Sequence, residues 1–200
     1  MGTIRITLLA EDLGNEEVIG GLIHRVSEGL SLEVSLKPMR TRGGHGRVKT
    51  ELKRFMEGVS RGEIPDSDLV VLATDANCKG NRRRKEILES ISTPKIPLVL
   101  AVPDPHVERW LLLDSHAFKA VFGRGCRAPD QKCLKDRYKD ALRDSIRTAD
   151  PGLNPPLGGL EYAADLIEAM DIQACREIEE SLNKFVAELE GALRLLSHRT

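Results

Sequence analysis

Thirty lysines and arginines against 31 aspartates and glutamates leave this 200-residue chain almost neutral, so net charge excludes no partner and only local clustering of charge can point to one. The length suits one domain with a full core, and the absence of a leader before Ile4 or of any apolar run of membrane-spanning length points to a cytoplasmic protein with no membrane partner. The four cysteines (Cys78, Cys126, Cys133, Cys175) form no CxxC and have no partnering histidine spacing, so neither a zinc site nor a disulfide framework is expected, and reduced thiols fit.

From the N-terminus, Thr3 to Ala10 reads as a strand, ending in Glu11 and Asp12. Apolar residues Val18, Ile19, Leu22, Ile23 and Val26 then recur at helical spacing, with Asn15 placed to cap that helix. Leu32 to Leu36 alternates apolar and polar and stops at Pro38, which predicts a second strand. Met39 to Lys49 (MRTRGGHGRVK) is glycine-rich and basic, and lacks both the Walker A ending and the GxGxxG order. Its glycines and arginines fit a plain surface loop and a phosphate-contacting one alike. Val48 to Val59 is an amphipathic helix.

The stretch that organises the chain is DSDLVVLATDANCKGNRRR, 66–84. Leu69 to Ala73 has the composition of a strand covered on both faces of a parallel sheet. It runs into Asp75 and Asn77, two oxygen ligands of the type a hard divalent cation takes, although an Asx-turn would use the same pair. A helix from Asn81 to Ile91 follows, its first turn crowded with Arg82, Arg83 and Arg84, which opposes the helix dipole unless an anion sits there. Pro97 to Val102 is the fourth strand. Asp104 is placed to cap a helix starting at Pro105 and carrying His106, Glu108 and Trp110, which brings Glu108 to the sheet edge near Asp75.

Strand–helix alternation over 3–113 predicts an α/β fold, with a mostly parallel four-stranded sheet flanked by helices. The division expected is a core over 1–122 and a helical C-terminal region over 123–200 packed on it as part of one domain. That region holds a charged helix from Cys133 to Ile146, a short one from Leu160 to Met170 and a long one from Ile172 to Leu196.

An acidic residue after the first strand, a helix, and a later strand ending in a DxD-like pair resemble the Toprim fold of topoisomerases, primases and OLD-family nucleases. The closest likeness is to small Toprim-like proteins of bacterial defence loci, carried by LLAEDLGNEE at 8–17 and VPDPHVERWLLLD at 102–114. The resemblance implies a Rossmann-like Toprim core and metal-dependent phosphodiester cleavage of DNA or RNA in anti-phage defence. Glu11, Asp75 and Glu108 would be catalytic, with Asn77 joining them as a ligand of Mg²⁺ or Mn²⁺. Arg40, Arg42, Arg47, Lys49, Lys79, Arg82, Arg83 and Arg84 would grip the nucleic acid, and His45 or His106 would assist proton transfer. An ATPase partner is expected, since the chain has no Walker A loop of its own, and a homo-oligomer fits. Two positions depart from the family pattern: Asp12 follows Glu11 where a glycine is usual, leaving the tight turn to Gly14, and Asn77 replaces the second aspartate. The competing reading is a catalytically inactive Toprim-like module that binds a partner protein or nucleotide.

Overall fold

The computed structural model describes residues 2–41, 45–64, 67–91, 96–130, 133–134 and 136–198, without the side chains of 45 and 46. Four strands, β1 (Ile4–Ala10), β2 (Val34–Arg40), β3 (Leu69–Ala73) and β4 (Leu98–Ala101), form one all-parallel sheet in the order β2-β1-β3-β4. Register is fixed by Ile4 opposite Val34, Ile6 opposite Leu69 and Val70 opposite Leu98. This is a Rossmann-like α/β arrangement, and the expected strands are all present.

All five residues of β3 are buried, and its alternate side chains feed two cores. Leu69, Val71 and Ala73 face a large cluster shared with helix α1 (Leu13–Gly29). Val70 and Leu72 face a smaller one with Leu52 and Phe55 of α2 (His45–Arg61) and Ile87 of α3 (Asn81–Leu88). The larger cluster also takes Trp110 of α4 (Glu108–Leu111) and Phe118 of α5 (Ser115–Phe122), then Leu142 of α6 (Arg137–Ala149) and Leu166 of α7 (Ala163–Ala169). Cys175 of α8 (Ile172–Ile178) and Phe185 of α9 (Glu180–Ser197) complete it. Residues after 122 therefore pack into the same core as the strands. No helix among the described residues is long and apolar enough to cross a membrane.

Several local expectations are corrected. Asp12, not Asn15, caps α1: its carboxylate accepts the Asn15 N–H at 2.9 Å. Gly14 makes no turn but lies inside the helix, where a Cβ would come within 2.8 Å of Leu160. β2 runs through Pro38 instead of stopping there, which is tolerated because β2 is an edge strand whose outer side needs no donor. The helix at Glu108 starts three residues later than Pro105, after a cis Asp104–Pro105 peptide. The single helix expected over 172–196 is two, because Glu179 is extended (φ −126°, ψ 103°). Its carboxylate is nearly buried, receives the Arg109 guanidinium at 2.8 Å and accepts the Ser181 hydroxyl at 2.6 Å. Ser181 in turn accepts the Trp110 indole N–H at 3.0 Å, the partner a buried tryptophan requires.

The opposite edge of the sheet is blocked by side chains. Arg84 donates to the Leu100 carbonyl of β4 at 2.8 Å and pairs with Glu188, whose carboxylate faces the Leu100 N–H at 3.5 Å. An edge strand with its polar groups covered in this way resists pairing with another chain.

The thiol expectation is also corrected. Cys78 and Cys133, 55 residues apart, form a disulfide across a Cα–Cα distance of 5.7 Å. Cys126 and Cys175 are free, with thiol pKa values pushed by burial to about 11 and about 12, so neither is a reactive thiolate at neutral pH.

Candidate metal centre

Parallel strands deliver their C-terminal residues to one edge, which is where open α/β sheets place their sites. β1 leads into Glu11, whose N–H bonds the Ala73 carbonyl of β3 at 3.0 Å. β3 continues to Thr74 and Asp75. Beyond β4, the chain turns at Pro103–Pro105 and returns over the same edge with His106, Val107 and Glu108. Backbone bonds hold this return: the Ala76 and Asn77 N–H groups donate to Pro103 and Pro105 carbonyls at 2.7 and 3.0 Å.

Three side chains meet there. Asp75, His106 and Glu108 each offer a ligand atom, and these atoms all lie within 4.8 Å of one another. Asp75 Oδ2 is 3.0 Å from His106 Nδ1, and Oδ1 accepts the Val107 N–H at 3.1 Å and faces the Asn15 amide at 3.5 Å. Glu108 is 3 % exposed, its Oε2 is buried without a hydrogen-bond partner, and Lys139 Nζ stands 4.0 Å from Oε1. Tyr138, adjacent to that lysine, packs its ring 6.4 Å from the His106 ring.

The electrostatics are those of a site short of positive charge. Burial, and then the Asp75 charge, push the Glu108 carboxyl to about 7. The Asp75 hydrogen bond raises the His106 imidazolium above its ordinary range, against the opposing effect of burial. Without a cation, the cluster holds protons to offset its negative charge. A divalent cation would supply that charge instead and give the orphaned Glu108 oxygen a partner, so the donor set fits a metal ion.

The residues expected to act together are only partly brought together. Asp75 and Glu108 meet, but Glu11 is not a member of the group: it lies at the same edge, accepting the Thr74 hydroxyl at 2.5 Å. Asn77 is also outside it. It adopts a left-handed conformation (φ 49°), is exposed, and its amide donates to the Asp75 carbonyl at 3.3 Å, so its side chain serves the turn. His106, anticipated only as a proton carrier, is the third member; its position two residues before Glu108 was the available sign.

The cations expected to grip nucleic acid divide as well. Arg82, Lys79 and Arg47 are exposed. Arg40 is half exposed and pairs with Glu16 at 2.6 Å, and Lys49 pairs with Glu86 at 3.3 Å. Arg83 is 5 % exposed beside Glu86, and Arg84 is tied to β4 and Glu188. These two point into the protein because α3 packs that side against the sheet and α9, so neither is placed to meet a phosphate. Arg42 and the His45 side chain lie outside the described residues. Comparison of the chain with protein-family models, with curated proteins and with solved structures finds no match.

Proposed function

We propose that this chain is a metal-dependent phosphodiesterase acting on nucleic acid. The observation that carries this reading is the Asp75–His106–Glu108 group at the carboxyl edge of an all-parallel sheet. Those three residues would hold the ion, with Glu11 beside them. An imidazole among the donors favours Mn²⁺ over Mg²⁺, which prefers oxygen ligands and retained water. When bound, the ion supplies Lewis acidity and lowers the pKa of a coordinated water.

The chain's own residues supply the rest. Asp75 positions His106 through the 3.0 Å contact. In the metal-free protein the His106–Asp75 pair is arranged to hold a proton that an ion bound by both would displace, and Lys139 brings positive charge towards the group. Exposed Lys79 and Arg82, on the loop and first turn after Asp75, would meet the phosphate backbone without regard to sequence. A role in anti-phage defence and an ATPase partner rest on the Toprim resemblance alone.

Incubating the protein with labelled single-stranded DNA and RNA in the presence of Mn²⁺ is expected to give cleavage that EDTA abolishes. Asp75→Asn is expected to lower the rate by about 10²-fold or more, the scale on which one site group acts in hydrolysis. Cleavage that survives both EDTA and this substitution would refute the reading. A binding module without cleavage is favoured by one observation, the use of Asn77 in the turn where the Toprim pattern has a second carboxylate. Tight Mn²⁺ binding without cleavage of any nucleic acid would select it.

A further inference from the structure

A parallel sheet is ordinarily covered on both faces, yet among the described residues nothing buries the β2 side chains on one face of this one. Residues in register share a face, so Ser35, Lys37 and Met39 of β2 look the same way as Arg5, Thr7 and Leu9 of β1. Leu9 is covered by α2, whereas Ser35, Lys37 and Met39 are all exposed. Two cavities open along the strip, of about 570 and 290 Å³, and Met39, Phe55 and Ile64 line both. They are one trough with an apolar floor. It follows β2 from Ser35 to Thr41, about 20 Å at the usual rise per strand residue, and ends at the sheet edge that carries the metal centre.

The charge on its walls is one-sided. Arg47 and Arg54 line the larger cavity and Arg5 and Lys37 the smaller, against one lining carboxylate among the described residues, Glu51; Arg40 borders the larger cavity too, but its guanidinium turns to Glu16 of α1. The whole chain carries a net charge of −1, so this is a local concentration of cations. Asp68 holds Arg5 in a two-bond pair at 3.0 and 2.9 Å, whereas Arg54 is 71 % exposed beside an exposed Glu51. An ion pair as exposed as Arg54–Glu51 contributes little and leaves the guanidinium open to another anion.

We infer that this trough binds single-stranded nucleic acid, with the arginines on its phosphates and unstacked bases against Met39, Phe55 and Ile64. The inference rests on the phosphodiesterase reading for its choice of polyanion and names the form of the substrate. A single strand presents base faces to an apolar floor, whereas a duplex keeps them stacked inside. An extended acidic peptide would bind most naturally by adding a strand at β2, and Pro38 in the middle of that edge has no N–H to offer it.

The test is fluorescence anisotropy with a labelled oligothymidylate in EDTA, so that binding is read independently of the metal centre. The wild-type protein is expected to bind it at least about tenfold more tightly than a duplex of the same length, losing affinity steeply with salt. The double variant R47A/R54A, altered only on the exposed side of α2 and checked by thermal melting, is expected to flatten the plot of log affinity against log salt by about 1.4, at ~0.7 per lost phosphate contact on a single strand. Met39→Ala is expected to weaken binding with the slope unchanged. Equal or tighter binding of duplex, equally tight binding of polyglutamate, or an R47A/R54A variant that binds like wild type would each overturn the assignment. Binding that follows this pattern with no cleavage when Mn²⁺ is restored would support the trough and count against the phosphodiesterase reading alone.

Discussion

Raising the pH from 5 to 8 is expected to destabilise the metal-free protein by roughly 3 kcal/mol through Glu108 alone, at ~1.4 kcal/mol per pKa unit. The sign follows from where the proton resides. In the unfolded chain Glu108 loses its proton near the ordinary value of 4.5, but in the folded protein only at about 7. Between those values the folded state binds more protons, so stability falls as the pH rises through that window. His106 acts in the same direction: its folded pKa is raised, so its contribution is complete below the ordinary value of 6.5 and is lost as the pH rises through the folded one. Thermal melting across this range should show a fall of about 6–12 °C for the Glu108 part in a chain of this size. Glu108→Gln keeps the shape and removes the titration, so its melting temperature should match wild type near pH 5 and exceed it at pH 8. A wild-type melting temperature that is flat from pH 5 to 8, or a variant that is less stable throughout, would contradict this account of Glu108.

Opening the Cys78–Cys133 disulfide is expected to cost about 4 kcal/mol, the loop-closure value for the 55-residue separation it spans. Cys78→Ser, Cys133→Ser and the double variant should all lose the same amount, because each removes the same bond. The melting temperature should drop by about 10 °C, and a reducing agent should reproduce the drop in the wild-type protein but not in the variants. The effect should extend to the candidate metal centre. Cys78 lies three residues after Asp75, and the chain leads from Cys133 into α6, which carries Tyr138 and Lys139 beside His106 and Glu108. The bond thus joins the two segments that flank the group. Three variants with different losses, or a wild-type protein that reductant leaves unchanged, would refute this.

What the sequence disclosed follows a physical division between local and long-range causes. Leu69 to Ala73 declared itself because a strand buried on both faces needs only apolar, β-branched-rich composition, and its termination in Asp75 located the site edge. Glu108 was found by the same rule applied to β4. The rest depended on partners distant in the chain. The break at Glu179 interrupts an apolar spacing that runs on from Ile178 to Leu182, and it exists because Arg109 lies 70 residues away. The disulfide is set by a 5.7 Å approach that no spacing motif encodes. Arg83 and Arg84 carry the residue type of a phosphate site, but the packing of α3 turns them into the protein. Glu11 and Asp75 end adjacent strands, yet the hydroxyl of Thr74 engages one carboxylate and His106 the other, a distinction of side-chain direction that strand order does not contain.

The central claim is that Asp75, His106 and Glu108 constitute one divalent-cation site. Calorimetric titration of the EDTA-stripped protein with Mn²⁺ at neutral pH tests it without reference to any substrate. The account predicts a single ion per chain, proton release on binding as Glu108 ionises, and at least about a tenfold loss of affinity in each of Asp75→Asn, His106→Ala and Glu108→Gln. Absence of a saturable Mn²⁺ site in the wild-type protein, or one that persists with undiminished affinity in all three variants, would contradict it.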